Sequence, residues 1–458
     1  MLFGIDFFKR GKNMLTQAPK GTRDVTPSQS HQWQYVEAIA RDVAELYGFN
    51  EVRTPVFEHT ELFLRGVGST TDVVQKEMYT FEDKGQRSIT LKPEGTAGAA
   101  RAYIEHGMQV LPQPVKMYYF TPVFRYEKPQ AGRLREHHQF GVEAFGGASA
   151  VLDAEVILLA TQFFEKVGLK GLKASINSIG CPNCRGNYSK ALIEYFSQHK
   201  ESLCPTCLER LNKNPLRILD CKEEGCKHII KDAPLISGYL CDECSTHFEL
   251  LQKSLKEAGL EFEIDPMIVR GLDYYTKTVF EIIATIDGNP LTVCGGGRYD
   301  GLIEELGGPK TCGVGFGLGI ERLLLILEKE GLLPDGNRTA DVFIAYMGED
   351  AAAKAVAISR ELRDKDIKVQ TEYNARSFKA QFKSADKNKA KFVIILGAEE
   401  IANGAAKVKC MGTGEELTVA FDVLAETTKD LVMEALRKAF EKAVEKLIRE
   451  EQEQMCSL

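Results

Sequence analysis

The chain has 458 residues, 44% of them apolar and 27% charged, and a net charge of −7. These values are ordinary for a soluble globular protein of about three domains, and no apolar run approaches the roughly 18 residues that would span a membrane. The mildly acidic balance excludes nucleic-acid binding through bulk charge and leaves it to local basic patches.

The opening MLFGIDFFKRGKN has Asp6 and Lys9 inside its apolar patch, which spoils a signal-peptide core. Residues 1–13 read as a flexible tail, Met14 as a candidate start, and the chain as cytoplasmic. Residues 14–171 mix strands and helices, with turns at Lys20-Gly21 and Gly66-Val67-Gly68. In TLKPEGTAGAARAYIEHG, Glu94 and Thr96 precede an alanine-rich helix. Glu94 is either an acidic residue favoured by the positive helix end or, with Thr96, a holder of a substrate ammonium.

The stretch FRYEKPQAGRLREHHQFGVEAFG, from Phe124, predicts a hairpin of two amphipathic strands. Strand side chains alternate between faces. Phe124 and Tyr126 therefore share one face while Arg125 and Glu127 share the other. Phe140, Val142 and Ala144 likewise oppose Gln139, Gly141 and Glu143. Between the strands, Lys128 to His138 forms a basic loop carrying Arg133 and Arg135. Such a hairpin can simply turn one side to water, but its polar groups also suit oriented recognition. Arg125 can clamp a phosphate bidentately, Glu127 can accept from an amino group, and Gln139 and Glu143 can grip a second polar ligand.

Residues 172–260 change character, becoming Cys-rich, Lys/Glu-rich and helical in pattern, and read as a domain inserted between two similar blocks. Eight of the twelve cysteines fall here, as Cys181-x-x-Cys184, Cys204-x-x-Cys207, Cys221-x4-Cys226 and Cys241-x-x-Cys244. They supply ligands for two structural four-cysteine Zn²⁺ sites whose pairing the spacing leaves open, with His228 or His247 as possible substitutes.

Strand signals return over residues 261–332. VRGLDYYTKTVFEI, from Val269, places Arg270 before Tyr274 and Tyr275. In CGVGFGLGIERLLLILEKEG, from Cys312, glycines at 313, 315, 317 and 319 share one strand face. Such a bare face admits a flat ligand such as a purine, and Arg322 follows in the first turn of a helix, where anions are favoured. The spacing fits neither a dinucleotide fingerprint nor a P-loop. After a loop at 331–340, the runs DVFIAYMG, IKVQTEY and KFVIILG predict a small α/β domain with a parallel sheet over 340–425. SFKAQFKSADKNKAK there puts Lys379, Lys383 and Lys387 on one helix face, solvated or facing RNA. A charged helix closes the chain over 426–458.

FRYEKPQAGRLREHHQFGVEAFG resembles the second signature motif of the class II aminoacyl-tRNA synthetases, GVGFGLGIERLLLILE the third, and the stretch ending Arg53-Thr54-Pro55 the first. LKPEGTAG and RGLDYYTKTVFE resemble, within that class, the histidine–tRNA ligases. The resemblance runs from Pro19 through the C-terminal domain. It implies an α+β fold, with a six-stranded antiparallel catalytic sheet flanked by helices, a mostly helical insertion and an α/β anticodon-binding domain. It also implies a homodimer that joins L-histidine to tRNA(His) with ATP and Mg²⁺. By this resemblance Arg125 and Arg270 stand at the ATP α-phosphate, Glu127 at adenine and Arg322 at the γ-phosphate. Glu94, Thr96, Gln139, Glu143, Tyr274 and Tyr275 form the histidine pocket, and Arg133 and Arg135 meet the tRNA acceptor end. Many members lack the eight cysteines. A synthetase-like regulatory paralogue would lack the anticodon domain and erode the clamping arginines, and both are present here.

Overall fold

The computed structural model describes residues 16–456, apart from 69, 70, 72, 131, 287, 335–339 and 375. The tail expected at 1–13 and the candidate start at Met14 lie outside the described residues. The chain divides after Pro334 into two compact units. Among the described residues no helix is long and apolar enough to cross a membrane.

The first unit is built on an eight-stranded sheet. Its strands are β1 (Asn50–Glu51), β2 (Val115–Phe124), β3 (Glu136–Phe145), β4 (Lys173–Ser178), β5 (Phe262–Ile264), β6 (Thr276–Ile286), β7 (Asn289–Arg298) and β8 (Gly313–Gly319), in the order β1-β2-β3-β8-β7-β6-β4-β5. The six inner strands are mutually antiparallel, as the resemblance implies, and the short β1 and β5 add a parallel strand at either edge.

The alternation read from the sequence is realised in β3. Phe140, Val142 and Ala144 are fully buried in the large core, which also takes in helices Ser30–Leu46, Ala150–Lys166 and Ile320–Lys329. In the last of these, Ile320, Leu323, Leu324 and Leu327 recur at the i, i+3, i+4, i+7 spacing of a one-sided helix and are all buried. Leu327→Ala there would cost about 2–5 kcal/mol. Gln139, Gly141 and Glu143 face the other way, toward a smaller cluster that includes Tyr103, Tyr119, Tyr274, Tyr275 and Tyr299.

Two strand expectations change. The strand β2 stops at Phe124, and Tyr126 is 54% exposed instead of sharing a buried face with Phe124. The chain leaves the ladder where the Tyr126 N–H turns to the Glu77 carbonyl at 2.7 Å, and Arg135 covers this turn, its guanidinium 3.8 Å from the Tyr126 ring centre and its Nε donating to the Glu127 carbonyl at 3.2 Å. Residues 269–275 are irregular, and β6 starts only at Thr276. Their polar groups bond to other segments, Asp273 N–H to the Val67 carbonyl and the Gly271 carbonyl to Arg217.

The Cys-rich stretch is rooted in the sheet unit at both ends. At its start β4 pairs with β6. At its close helix Asp242–Glu257 sends Leu251 and Leu255 into the large core. The portion with its own core runs from Tyr188 to Ile236. In helix Pro182–Ser197, Cys184, Tyr188, Leu192 and Phe196 are buried at every fourth position, the stripe that holds this helix against the rest of that small core.

The second unit carries a five-stranded sheet in the order Val369–Thr371, Val342–Tyr346, Phe392–Leu396, Ala405–Cys410, Glu416–Ala420. Its first two pairings are parallel, as expected, but the last two are antiparallel, so the sheet is mixed. The loop of residues 411–415 between the last two strands is too short for a parallel crossover and forces a hairpin. The closing helix spans Leu424–Cys456.

Candidate active site

Register lines up one row of residues across five strands: Tyr119 of β2, Gly141 of β3, Gly317 of β8, Gly295 of β7 and Glu281 of β6. Residues paired in register share a face. Arg270 lies across this row. A Cβ at Gly295 would stand 2.6 Å from the Arg270 Cζ, so the absent side chain is the space the guanidinium occupies. Its Nη1 donates to Glu281 Oε1 at 2.6 Å, and Thr292 Oγ1 donates to the other Glu281 oxygen at 2.9 Å. The Arg270 Nε is buried without a protein acceptor, a donor left for a ligand.

Tyr275 feels the charges of both Arg270 and Glu143, and Glu143 is buried with a second carboxylate, Glu94. Glu143 accepts from the Tyr119 hydroxyl at 2.9 Å and from the Tyr299 hydroxyl. Glu94 accepts from the backbone N–H of Thr96 at 2.7 Å and of Ala97 at 2.8 Å, at the start of helix Thr96–Glu105. The helix-start reading of Glu94 is thereby met, and the same carboxylate lies close to Glu143. Burial pushes Glu94 up despite these bonds. Burial pushes Glu143 up to about 8, and the charge of Glu94 adds to the rise. Thr96 is buried beside both carboxylates. Tyr274 and Tyr275 pack with ring centres 4.7 Å apart, and Tyr274 meets Tyr299 edge-on at 5.4 Å. Two buried carboxyl groups among aromatic rings suit a flat guest that brings positive charge and so draws off their protons.

At the far end Gln139 Oε1 accepts from the Gly95 N–H at 3.1 Å, and Arg125 Nε donates to the Pro93 carbonyl at 2.8 Å. Arg125 is close enough to Glu94 to counter its rise. The loop beyond Arg125 gathers further arginines. Arg133 is exposed, 3.6 Å from Glu127. Arg135 is laid over Tyr126, under Gly21, whose φ of +89° and lack of a side chain admit it. Arg322 is partly buried in the first turn of its helix, and burial and the charge of Arg133 lower its pKa.

The bare glycine face expected on β8 is only half open. A Cβ at Gly313 would run into the Tyr299 ring and one at Gly315 into the Glu143 carboxylate and the Val142 carbonyl, while Gly319 has nothing within 4 Å and Gly317 only Gln139 at 3.9 Å. The first two glycines make room for Tyr299 and Glu143; the last two leave floor for a ligand. Sequence reasoning passed over Tyr119 and Glu281. It also missed a buried ion pair behind the sheet, in which Arg298 holds Asp153 with Thr278 and His247 as further partners.

The cysteines form two groups, Cys181, Cys184, Cys241 and Cys244, and Cys204, Cys207, Cys221 and Cys226, each with all sulfurs within 4.8 Å of one another. Sulfur separations of 3.6 Å (Cys181–Cys184), 4.0 Å (Cys181–Cys241) and 3.8 Å (Cys204–Cys221) match the edges of a tetrahedron of thiolates about 2.3 Å from a zinc ion. They are far too long for disulfides. Backbone N–H groups of Cys241 and Cys204 point at Cys184 and Cys226 sulfurs, at 3.1 and 3.2 Å. The histidines are not needed: His247 is taken by Asp153, and His228 is exposed and belongs to neither group.

A family model described as Histidyl-tRNA synthetase matches residues 21–184 and 207–323, and one described as Anticodon binding domain matches residues 341–431. The chain belongs to the histidyl-tRNA synthetase family. It is 56% identical to the histidine–tRNA ligase of Caldanaerobacter subterraneus subsp. tengcongensis over 417 residues, covering 91% of this chain and 100% of that one. The histidine–tRNA ligase of Clostridioides difficile is 54% identical, over 91% of this chain and 99% of its own. The apo histidyl-tRNA synthetase of S. aureus superposes with a TM-score of 0.78 at 42% identity, covering 90% of this chain and 99% of that one. The break in the family match, residues 185–206, falls within the Cys-rich insertion.

Proposed function

We propose that this protein charges tRNA(His) with L-histidine, using ATP, through a histidyl adenylate. The observation that carries the reading is the register row that sets the Arg270 guanidinium over Gly295, beside the paired carboxylates of Glu94 and Glu143. Glu143, Thr96, Gln139 and the charge of Glu94 receive the ammonium and imidazole of histidine, and Tyr274 and Tyr275 wall the ring. Arg125 and Arg270 bracket the ATP α-phosphate, Glu127 accepts from the adenine amino group, and Arg322 meets the γ-phosphate. The adenosine lies over the open floor at Gly317 and Gly319, and Mg²⁺ accompanies the phosphates.

One carboxylate oxygen of histidine attacks the α-phosphorus, the bond to the bridging oxygen breaks, and pyrophosphate leaves. Both reactants are anionic, so positioning and fixed cations supply the catalysis and no covalent enzyme nucleophile is required. A ribose hydroxyl of the terminal tRNA adenosine then attacks the adenylate carbonyl, releasing AMP. Arg133 and Arg135 contact the acceptor end, and residues 341–431 read the anticodon. The protein works as a homodimer in the cytoplasm, and the two cysteine groups hold structural Zn²⁺.

Amino-acid-dependent ATP–pyrophosphate exchange tests the reading. Histidine alone among the amino acids is expected to support it, and Arg270→Ala to abolish it in a folded protein. Exchange by Arg270→Ala near the wild-type rate removes Arg270 from the chemistry.

A further inference from the structure

The two cysteine groups flank one segment of the active site. Cys181 and Cys184 open helix Pro182–Ser197, while Cys241 and Cys244 open helix Asp242–Glu257. The residue after Cys184, Arg185, donates from Nη1 to the Tyr275 carbonyl at 3.1 Å. Between Cys241 and Cys244, Glu243 pairs with Lys277 Nζ at 2.8 Å. Lys277 has a φ of +50°, a conformation that side chains other than glycine adopt only when held. Its backbone is tied on both sides, N–H to the Gly180 carbonyl at 2.9 Å and carbonyl to the Ile179 N–H at 2.8 Å.

The second group acts on the other half of the segment. Cys207 and Cys221 bracket a stretch that carries Asn214 and Arg217. Asn214 Nδ2 donates to Asp273 Oδ1 at 3.0 Å, and Arg217 donates to the Gly271 carbonyl. Between the two sides lies a cavity of about 240 Å³, bordered by Arg185, Asn214 and Arg217 on the insertion and Arg270, Asp273 and Tyr275 on the segment. The two sides meet here across an open space through a few polar bonds. Residues 270–277 thus take part of their position from where those donors are held, the rest coming from Glu281, the Val67 carbonyl, the packing of Tyr274 and Tyr275, and the start of β6.

We infer that zinc bound by the two four-cysteine groups locks the segment Arg270–Lys277, and with it the Arg270 guanidinium and the Tyr274–Tyr275 pair, in the arrangement that receives histidine. The group at Cys181 fixes the Tyr275–Lys277 half through Arg185 and Glu243; the group at Cys204 fixes the Gly271–Asp273 half through Arg217 and Asn214. The insertion is then a positioning device for the active site. What the locked segment does rests on the function proposed above, but that it is locked does not.

The full-length protein is expected to hold about two zinc ions per chain, and Cys181→Ser and Cys221→Ser each to lose one. Stripping zinc with EDTA is expected to speed deuterium exchange in residues 270–277 by about tenfold while β8 keeps its protection. Arg185→Ala and Asn214→Ala leave the ligands intact. Each is expected to retain zinc and a near wild-type melting temperature, yet to raise KM for histidine about fivefold, the worth of one hydrogen bond. Absence of zinc overturns the inference. So does zinc loss without faster exchange at 270–277, or with equal acceleration in β8, which means that zinc holds the whole fold. Wild-type histidine KM in both variants also overturns it. If the wild-type protein shows no histidine-dependent exchange, the functional reading fails, while the zinc and deuterium measurements still decide this one.

Discussion

Replacing Gly295 with alanine perturbs the active site without altering a charged group. The new Cβ would stand 2.5 Å from Nη1 and 2.6 Å from Cζ of Arg270, where carbon and nitrogen need about 3.5 Å. The guanidinium is the end of a flexible side chain, so it yields, moving by about 1 Å and losing its aligned 2.6 Å bond to Glu281. A charge-assisted bond contributes about 1.5–3 kcal/mol, the lower end applying to this partly exposed pair. Alanine returns about 0.4–1 kcal/mol by stiffening the unfolded chain. The net cost is about 1 kcal/mol, a fall in melting temperature of no more than about 4 °C. A misplacement of about 1 Å at the reacting centre costs about a hundredfold in rate. Histidine-dependent pyrophosphate exchange, measured beside a thermal melt, is therefore expected to fall about a hundredfold in a protein that melts almost normally. A folded Gly295→Ala protein retaining more than about a third of the exchange rate refutes the claim that Arg270 acts from this position.

Glu143, pushed up to about 8 by burial, keeps in the folded state a proton that the unfolded chain releases near 4.5. The stability it contributes is full below about 4.5 and is lost as pH rises toward 8. Urea unfolding at pH 5 and pH 8 should show Glu143→Gln losing less stability over that interval than the wild type, and parallel losses would count against a protonated Glu143. Tyr299→Phe removes a donor to Glu143 and is expected to cost about 1–3 kcal/mol in denaturation and to raise KM for histidine; an unchanged KM would place Tyr299 outside the pocket's hydrogen-bond network. Lys379, Lys383 and Lys387 are exposed along one helix, opposite the buried Gln381 and Ala385. Changing all three to alanine should weaken tRNA binding and lower its salt slope by about two while leaving pyrophosphate exchange intact; an unchanged slope means that the face is merely solvated.

The strand β3 was legible because one of its faces is fully buried, so the period of two survives in the sequence from Gln139 to Ala144. The glycines of β8 were legible as a bare face but not as a divided one. What fills the space at Gly313 and Gly315 comes from residues 299 and 143, and no local period records such a partner. Tyr126 misled because its N–H bonds to the carbonyl of Glu77, a distant segment that the local period does not record. The hairpin of the second unit was missed because its strands, AAKVKC and ELTVA, are short and mostly unburied, so no strong two-residue period marks them. The cysteine spacing announced clustered thiols but not their grouping, which follows from the path of the chain back to its starting point on the sheet.

That return has a consequence for how such proteins can vary. Cys181 and Cys241 are sixty residues apart in the chain, yet their sulfurs lie 4.0 Å apart. The points where the excursion departs and comes home are neighbours, so the gap to be bridged stays fixed whatever hangs between them. Residues can be added or removed between them without parting the two ends on the sheet, so long as the donors that reach Gly271, Asp273 and Tyr275 keep their places.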